Sequence, residues 1–364
     1  MARKRSRRKK PASARSRRPV NSTGTPKAGA AGPVTLAQAR ALAKVSAPLE
    51  RGAKAALAPA SPATVGFERR KLEVKQDLER RRRIKEYKAT LAIMKKRGVK
   101  GLARRTVKSG RAPKAAARPL QVFAEGDSWF DYPVPMFGGG IIPRLENALG
   151  VPVLNLARAG DEARYMLGVK ERKILIEHLT NGCPAGGPWD AMLFSGGGND
   201  IVDNPMVLWI RDFDAALPPA ALIHQPRLDA ALALVRAGYE DLIALRDSLS
   251  PQTRLFFHAY DFVIPDGRGI CFNGPWLKPT YDMRGFPTQA SADAVTRILL
   301  QQFAAILQSL ESSHPRVTFI NGQGTLAQQT SSWHNELHPS KDGFQAFATL
   351  FHQALKSAFP TQVL

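Results

Sequence analysis

The stretch VFAEGDSWFDYP, residues 122–133, decides which fold this chain is expected to adopt. Residues 122–124 form an apolar run typical of a strand covered on both faces, and Gly126 interrupts that run. Ser128 follows at once, with aromatic residues beside it. A serine in this position most often belongs to a turn. It becomes a candidate nucleophile only if a base and hydrogen-bond donors follow the other strands.

The sequence after residue 119 alternates between short apolar runs and segments of helical periodicity. The runs predict five strands, at 120–126, 151–157, 190–197, 253–261 and 316–321. The helical patterns lie at 141–149, 162–179, 226–249, 290–310 and 341–359. Strands joined by helical crossovers predict a parallel five-stranded sheet with helices on both faces. In such sheets, reactive groups gather outside the carboxyl ends of the strands.

Residues with suitable chemistry follow three of the other predicted strands. Gly160 follows the second strand, where a backbone N–H can approach a ligand closely. Asn199 follows three glycines after the third strand and offers a side-chain amide. His338, followed by Pro339, precedes the last predicted helix and is a candidate base for Ser128.

Four short blocks together resemble the SGNH (GDSL-type) hydrolase superfamily. In chain order they are Gly126-Asp127-Ser128, Gly160, Gly197-Gly198-Asn199-Asp200 and Asn335-Glu336-Leu337-His338-Pro339. Trp129 stands where leucine gives the family its name, and the resemblance covers residues 120–358. It implies a flavodoxin-like three-layer α/β/α sandwich with esterase, lipase or carbohydrate deacylase activity, and no metal or cofactor.

The resemblance also implies a role for each matched residue. Ser128 would be the nucleophile and His338 the general base. The oxyanion hole would consist of the backbone N–H groups of Ser128 and Gly160 and the side-chain amide of Asn199. Asp200 is expected to fix the turn that presents Asn199.

One position departs from the family pattern, because Asn335 stands where the family usually has aspartate three residues before the histidine. Asn335 could orient the imidazole through its carbonyl oxygen. Another carboxylate could take this role instead, and the candidates are Glu336, Asp131 and Asp282. The remaining alternatives are an enzyme that works with a Ser–His dyad alone and a site with impaired activity. We expect an active Ser128–His338 site assisted by Asn335, with His334 as a weaker candidate for the base.

Aromatic residues near the candidate serine predict a site for an acyl chain or a sugar, and hence a lipid, carbohydrate or other small-molecule ester as substrate. The expected substrate-binding residues are Trp129, Phe130, Trp276 and Tyr281, with Tyr132 also beside the serine. The Gly/Pro-rich segment 274–286 is a candidate lid or specificity loop. Alternatively, Trp276 and Tyr281 only hold a surface loop in place. Trp333 is expected to lie in the core.

The first third of the chain is strongly basic. Residues 1–119 contain 35 Lys and Arg against 6 Asp and Glu, a net charge of +29, whereas residues 120–364, with 18 against 24, carry −6. Composition predicts a disordered Ala/Pro-rich tail at 1–64, with at most a transient helix at 35–45. A basic amphipathic helix at 65–98, a basic linker at 99–118 and the hydrolase-like domain at 119–364 follow.

The predicted basic helix carries a narrow apolar stripe: Phe67, Val74, Leu78, Ile84, Tyr87, Leu91 and Met94. An anionic membrane surface or nucleic acid is a candidate partner for residues 1–118. Alternatively, the stripe packs on the hydrolase-like domain and the tail is only solvated. The alternative function is therefore an inactive scaffold that binds polyanions.

The remaining features bear on location. Cys183 and Cys271 are too few for a disulfide framework, and two free thiols in a reducing compartment are expected. No apolar run approaches the roughly 20 residues that span a bilayer, and no apolar segment follows the basic start MARKRSRRKK as in a signal peptide. We expect a cytoplasmic protein unless a dedicated secretion system exports it. Nothing in the pattern predicts an oligomeric state.

Overall fold

The computed structural model describes residues 32–43, 62–99, 118–132, 139–269 and 274–363. The strands are β1 Val122–Gly126, β2 Val153–Asn155, β3 Ala191–Ser195, β4 Arg254–His258 and β5 Val317–Ile320. The helices are α1 Leu36–Ala43, α2 Pro62–Arg97, α3 Ile141–Leu149, α4 Ala163–Met166, α5 Val169–Asn181, α6 Gly198–Ile201, α7 Gln225–Leu249, α8 Lys278–Met283, α9 Gln289–Ser313 and α10 Lys341–Ala358. Short 3₁₀ helices span Asn204–Leu208, Pro219–Leu222 and Thr330–Ser332.

The five strands form one parallel sheet in the order β2-β1-β3-β4-β5, as the alternating pattern predicts. Val122 of β1, the second strand of the sheet, pairs with Val153 of β2 on one side and with Ala191 of β3 on the other. All five residues of β1 and all five of β3 are buried, which explains their continuous apolar sequence. The predicted flavodoxin-like architecture is confirmed.

The strand order places the helices in two layers. The chain moves outward from β1 to β2 and then returns past β1 to β3, so right-handed crossovers put α3 on one face and α5, α7 and α9 on the other. Accordingly α10 packs on α3, while α7 packs on both α5 and α9. The reversal of direction lies between β1 and β3, which is where ligands bind in sheets of this type.

Most predicted helices match observed ones, and one is divided. The pattern at 162–179 predicts a single helix, but α4 ends at Met166 and α5 begins at Val169. Gly168 lies at the break, where its N–H donates to Tyr165 O at 3.0 Å. Glycine is among the weakest helix formers, so it readily allows this interruption.

Within residues 1–64, for which composition predicts a disordered tail, the structure describes residues 32–43 and 62–64. Residues 36–43 form helix α1, and Leu36 and Ala39 are buried against Met94 of α2 and Val151 of the sheet domain. Residues 1–31, 44–61 and 100–117, on which the tail and linker predictions also depend, lie outside the described residues.

Helix α2 packs the C-terminal part of its apolar stripe on the sheet domain, in line with one of the two interpretations of the sequence. Tyr87, Leu91 and Met94 are buried, whereas Val74 and Leu78 remain 58% and 60% exposed. The helix ends as predicted, with Gly98 N–H donating to Met94 O at 2.7 Å. The domain boundary expected at residue 119 therefore does not separate two independent units, because α2 contributes to the core of the sheet domain.

Two further observations concern the expected location. Within the described ranges, no helix combines the length and the apolar content needed to cross a bilayer. Cys183 is a buried free thiol, and Cys271 lies outside the described residues.

Candidate active site

Ser128 lies in a tight turn directly after β1, at the carboxyl edge of the sheet. The turn is held by Asp127 N–H, which donates to Ser195 O at 2.9 Å, and by Asp127 O, which accepts from the N–H groups of Phe130 and Asp131. Gly126 is required before this turn, because a Cβ there would lie 2.7 Å from Ser195 O. The close approach of β1 and β3 thus presents the Ser128 hydroxyl at the reversal point of the sheet.

His338 meets Ser128 over this edge, although 210 residues separate them in the sequence. The Nε2 atom of His338 lies 2.7 Å from Ser128 Oγ, and its Nδ1 atom lies 2.9 Å from Asn335 Oδ1. The histidine loop follows β5 and ends at Ser340, whose side chain caps helix α10 by accepting from Gly343 N–H. Both site residues are largely buried, at 9% exposure for Ser128 and 6% for His338.

Asn335 fixes the tautomer of His338. Its Oδ1 accepts from the backbone N–H groups of Leu337 and His338, at 3.0 and 2.9 Å, so the carbonyl end of the amide must face the histidine. Its Nδ2 points the other way and donates to the Tyr132 hydroxyl at 3.2 Å. The imidazole therefore donates from Nδ1 and accepts the Ser128 proton at Nε2, which is the arrangement a general base needs.

The same surroundings disfavour a charged imidazole. Burial, and then the nearby His334, lower the pKa of His338 to about 3. His338 is thus neutral and able to accept a proton at neutral pH. An uncharged Asn335 stabilises the resulting imidazolium less than an aspartate would.

The three carboxylates considered as substitutes for the family aspartate all lie elsewhere. Glu336 accepts four backbone N–H groups, from Gly267, Trp276, Leu277 and Lys278, at 2.6–3.0 Å. Asp131 binds Arg83, and Asp282 binds Lys278. These alternatives are therefore wrong, and Asn335 alone of the four contacts the imidazole.

The candidate oxyanion donors follow three different strands: Ser128 lies after β1, Gly160 after β2, and Asn199 in the short helix α6 after β3. Gly160 has a φ of +84°, a backbone conformation that glycine adopts without strain. Within the described residues, the backbone N–H groups of Ser128 and Gly160 donate to no other group. Asn199 uses one amide hydrogen to bind Asp161 O at 2.9 Å, which leaves its second hydrogen for a ligand. Asp200 accepts from Ala163 N–H at 2.7 Å, as expected of a residue that fixes this turn.

A small cavity opens onto Ser128, Asn199 and His338. Apolar side chains form much of its wall, namely Val202, Val263, Leu300 and Leu337. The cavity thus offers an apolar surface directly beside the hydroxyl and the imidazole.

Two of the four predicted substrate contacts are core residues instead. Phe130 is 1% exposed and stacks on His258 with ring centroids 5.7 Å apart. Tyr281 is 2% exposed, and its hydroxyl contacts Thr296 Oγ1 at 2.6 Å. Both rings lie beneath the surface because burying a large aromatic stabilises the fold more than exposing it at the site.

The other two predicted contacts lie nearer the site. Trp129 borders the cavity, but its indole packs edge-on against Tyr260 and Phe347 and donates to Leu337 O at 3.2 Å. Trp276 is half-buried, and its ring lies edge-on to His338 with centroids 5.7 Å apart. Trp333 is buried, in line with the expectation of a core residue. Trp276 is thus the aromatic side chain best placed to contact a substrate.

A second Ser–His contact, which sequence analysis does not predict, lies beneath the site. Ser195 Oγ lies 2.8 Å from His258 Nε2 and 2.8 Å from Asp127 Oδ1, and Asp127 also accepts from the Tyr260 hydroxyl. Burial raises the pKa of Asp127 to about 6 and lowers that of His258 to about 4. A buried polar network was detectable only as polar residues within apolar strands, such as Ser195 at the end of β3.

Comparison with known proteins gives matches among solved structures only. No protein-family model matches the sequence, and no curated protein matches it. The lipase Lip_vut3 from a goat rumen metagenome is 16% identical, with 65% of this chain and 97% of that chain covered and a TM-score of 0.43. An extracellular lipase from Streptomyces rimosus is 15% identical (65% and 99% covered, TM-score 0.39). A family 3 carbohydrate esterase from Clostridium thermocellum is 14% identical (68% and 100% covered, TM-score 0.38).

Other matching structures are described as GDSL-like lipases and as an SGNH hydrolase, the family that the four sequence blocks resemble. All of these similarities have TM-scores below 0.5. The function of this chain has to be inferred from its own residues.

Proposed function

We propose that this protein is a serine hydrolase that cleaves carboxylic esters, with Ser128 as the nucleophile and His338 as the general base. The observation that carries the proposal is the contact of 2.7 Å between His338 Nε2 and Ser128 Oγ, made by an imidazole whose other nitrogen is held by Asn335 at 2.9 Å. Nucleophile, base and orienting group thus stand in the order that acyl transfer requires.

In the first half of the reaction, Ser128 Oγ attacks the ester carbonyl while its proton passes to His338 Nε2. The tetrahedral intermediate collapses when His338 returns this proton to the departing alcohol, which leaves an acyl group on Ser128. Water then attacks the acyl-enzyme with His338 again as the base, and the acid is released. Each proton transfer in this reaction passes through His338 Nε2.

The negative oxygen of the tetrahedral intermediate would be bound by the N–H groups of Ser128 and Gly160 and by the second amide hydrogen of Asn199. One donor of this kind is typically worth roughly 3–4 kcal/mol in the transition state. The contact between Asn199 and Asp161 O supports this role, because it holds the amide in one orientation.

Labelling with a fluorophosphonate tests the proposal. We expect the probe to attach to Ser128, as located by mass spectrometry of the peptides, and p-nitrophenyl esters to be hydrolysed. His338→Ala should abolish both reactions, whereas His314→Ala, at a half-buried position outside the site, should leave both intact. Labelling at another serine, or none in the wild-type protein, would reject the proposal.

A second candidate function, polyanion binding by an inactive scaffold, is favoured by one observation on helix α2. Its solvent face carries exposed basic side chains, namely Arg81, Lys85, Lys88 and Lys96. Such a row attracts a nucleic acid or an anionic membrane through charge. Retention on heparin that weakens with salt, in a protein without esterase activity, would support this function instead. Reversal of three of these charges to glutamate should then release the protein at lower salt.

A further inference from the structure

We propose that helix α2 supplies positioning residues to the active site: Gln76 and Arg83 hold the loop that carries Gly160, residues 157–161, in the geometry that oxyanion binding needs. The inference rests on the proposed esterase function and assigns the basic N-terminal region a part in catalysis. None of the four sequence blocks lies in α2.

Gln76 acts on the peptide unit that contains the oxyanion donor. Its Nε2 donates to Ala159 O at 3.0 Å. The carbonyl of Ala159 and the N–H of Gly160 belong to one planar trans peptide and point in opposite directions. A hydrogen bond that fixes the carbonyl therefore also fixes the direction of the Gly160 N–H.

Arg83 connects the same loop to the turn of the nucleophile. Its Nη2 donates to Ala157 O at 2.7 Å, and its Nη1 binds Asp131 Oδ1 at 2.9 Å. Asp131 lies three residues after Ser128, and its own N–H donates to Asp127 O at 3.0 Å within the turn that carries Ser128. One guanidinium thus sets the distance between the turn that carries Ser128 and the loop that carries Gly160.

The far end of the loop reaches the third donor. Asp161 O accepts from Asn199 Nδ2 at 2.9 Å, and the Asp161 carboxylate pairs with Arg158 at 3.0 Å. Arg158 in turn pairs with Asp77 of α2 at 3.2 Å. A displacement of α2 would therefore move Asn199 as well as Gly160.

A buried ion cluster keeps α2 in place beneath these contacts. Arg80 is 3% exposed and pairs with Glu171 of α5, and its guanidinium lies 3.8 Å from the fully buried Glu125 of β1. Removing one member of such a pair leaves an uncompensated buried charge, which is strongly destabilising. Variants of Arg80 are therefore unsuitable tests, whereas Gln76 and Arg83 are only partly buried.

The test compares Gln76→Ala and Arg83→Lys with Lys75→Ala, an exposed position on the same helix. We expect Gln76→Ala to lower kcat about tenfold with KM within about twofold, because a misdirected donor weakens binding of the transition state and not of the ester. Arg83→Lys, which keeps the charge but cannot make both contacts, should lower kcat in the same way. Lys75→Ala should match the wild type. The midpoint of thermal unfolding should change by no more than about 2 °C in Gln76→Ala.

Hydrogen exchange of the backbone amides at 158–161 provides a measurement that does not need turnover. We expect faster exchange there in Gln76→Ala and Arg83→Lys, and wild-type exchange in Lys75→Ala. Unchanged kcat and unchanged loop exchange in both variants would overturn the inference. So would a fall in kcat that only follows a loss of folded protein. If the wild-type protein neither reacts with a fluorophosphonate nor hydrolyses esters, the proposed function fails, and the exchange data alone decide whether α2 holds the loop.

Discussion

The described part of the molecule contains two Ser–His contacts of nearly the same length, and they differ in their exposure and in their hydrogen-bond partners. His338 Nε2 lies 2.7 Å from Ser128 Oγ, and His258 Nε2 lies 2.8 Å from Ser195 Oγ. The first pair borders a cavity, whereas Ser195 and His258 are 0% and 1% exposed. Among the residues that the structure describes, the backbone N–H groups of Ser128 and Gly160 have no acceptor, whereas the Ser195 hydroxyl donates to Asp127 at 2.8 Å.

The difference shows that a short distance between serine and histidine does not make a nucleophile. Ser128 has room for an acyl carbonyl and candidate donors for its oxygen, and its histidine is oriented from behind. Ser195 borders no such space. Its hydroxyl donates to Asp127, and the same carboxylate accepts the N–H of Trp129 in the turn that carries Ser128. We therefore propose a catalytic role for Ser128 and His338 and a structural role for Ser195 and His258.

The largest effect should come from removing each serine in turn. Ser128→Ala should lower kcat for a p-nitrophenyl ester at least 10³-fold while leaving thermal stability unchanged, because it removes the attacking atom from the cavity. Ser195→Ala should keep most of the activity per folded molecule but lose about 1–3 kcal/mol of unfolding free energy, because Asp127 and His258 lose a buried partner. Equal losses of kcat would erase the distinction between the two pairs.

The pH dependence of stability should show that His258 is buried in its neutral form. Burial lowers the pKa of His258 to about 4, so between pH 6.5 and 4 the unfolded chain takes up a proton that the folded chain does not. This contribution to stability is complete above pH 6.5 and is lost as the pH falls toward 4. His258→Phe, which keeps a ring in this aromatic setting, should lose on the order of 3 kcal/mol less than the wild type between pH 7 and 4.

Denaturant unfolding at several pH values measures this difference. His314→Asn, at a half-buried position outside the network, serves as the control and should follow the wild-type curve. Parallel curves for His258→Phe and the wild type would show that His258 does not titrate differently in the two states.

A substitution at Asn335 should raise the activity that we expect from Ser128 and His338. Asn335→Asp places a full charge against His338 Nδ1, which raises the pKa of His338 from about 3 and stabilises the imidazolium of the transition state. We expect kcat/KM at pH 7 to rise about tenfold and the acid limb of the pH profile to move to higher pH. The exposed substitution Asn321→Asp should change neither quantity. A fall in activity with an unmoved acid limb would contradict this account of Asn335.

The smallest effect is expected at Trp276, whose ring lies beside His338. Trp276→Ala should raise KM about threefold with little change in kcat, because the ring beside His338 is placed to contact bound ester. Tyr281→Phe is the matched control and should leave KM unchanged, since its hydroxyl contacts only Thr296 within the core. Kinetics with esters of increasing acyl length would show whether Trp276 acts on the acyl or the alcohol part.

Much of the fold was predictable because it depends on local pattern. Buried parallel strands are continuous apolar runs, and five such runs with helical segments between them leave few alternatives. The meeting of Ser128 and His338 followed from the same reasoning, because the ends of parallel strands share one edge of the sheet. Their catalytic roles, and those of Gly160 and Asn199, remain predictions.

What the sequence did not show depends on contacts between distant residues. Phe130 and Trp276 are both aromatic and lie near glycines, and nothing local indicates that one is core and the other borders the histidine. The pairing of Arg80 with Glu171 spans 91 residues and leaves no periodic trace. For helix α1 the sequence predicts only a transient helix, because its few apolar residues are stabilised only when α2 lies beside them.

The backbone of the region after β4 depends on the carboxylate of Glu336 for its hydrogen bonds. One buried side chain accepts N–H groups from Gly267 on one side of the 270–273 segment and from Trp276, Leu277 and Lys278 on the other. It is also separated from His338 by a single residue. Attempts to change substrate preference by grafting a different loop between β4 and α8 would therefore have to reproduce these four amides. A graft without these amides would leave Glu336 without its partners. It would then move His338 as well as change the residues beside the cavity.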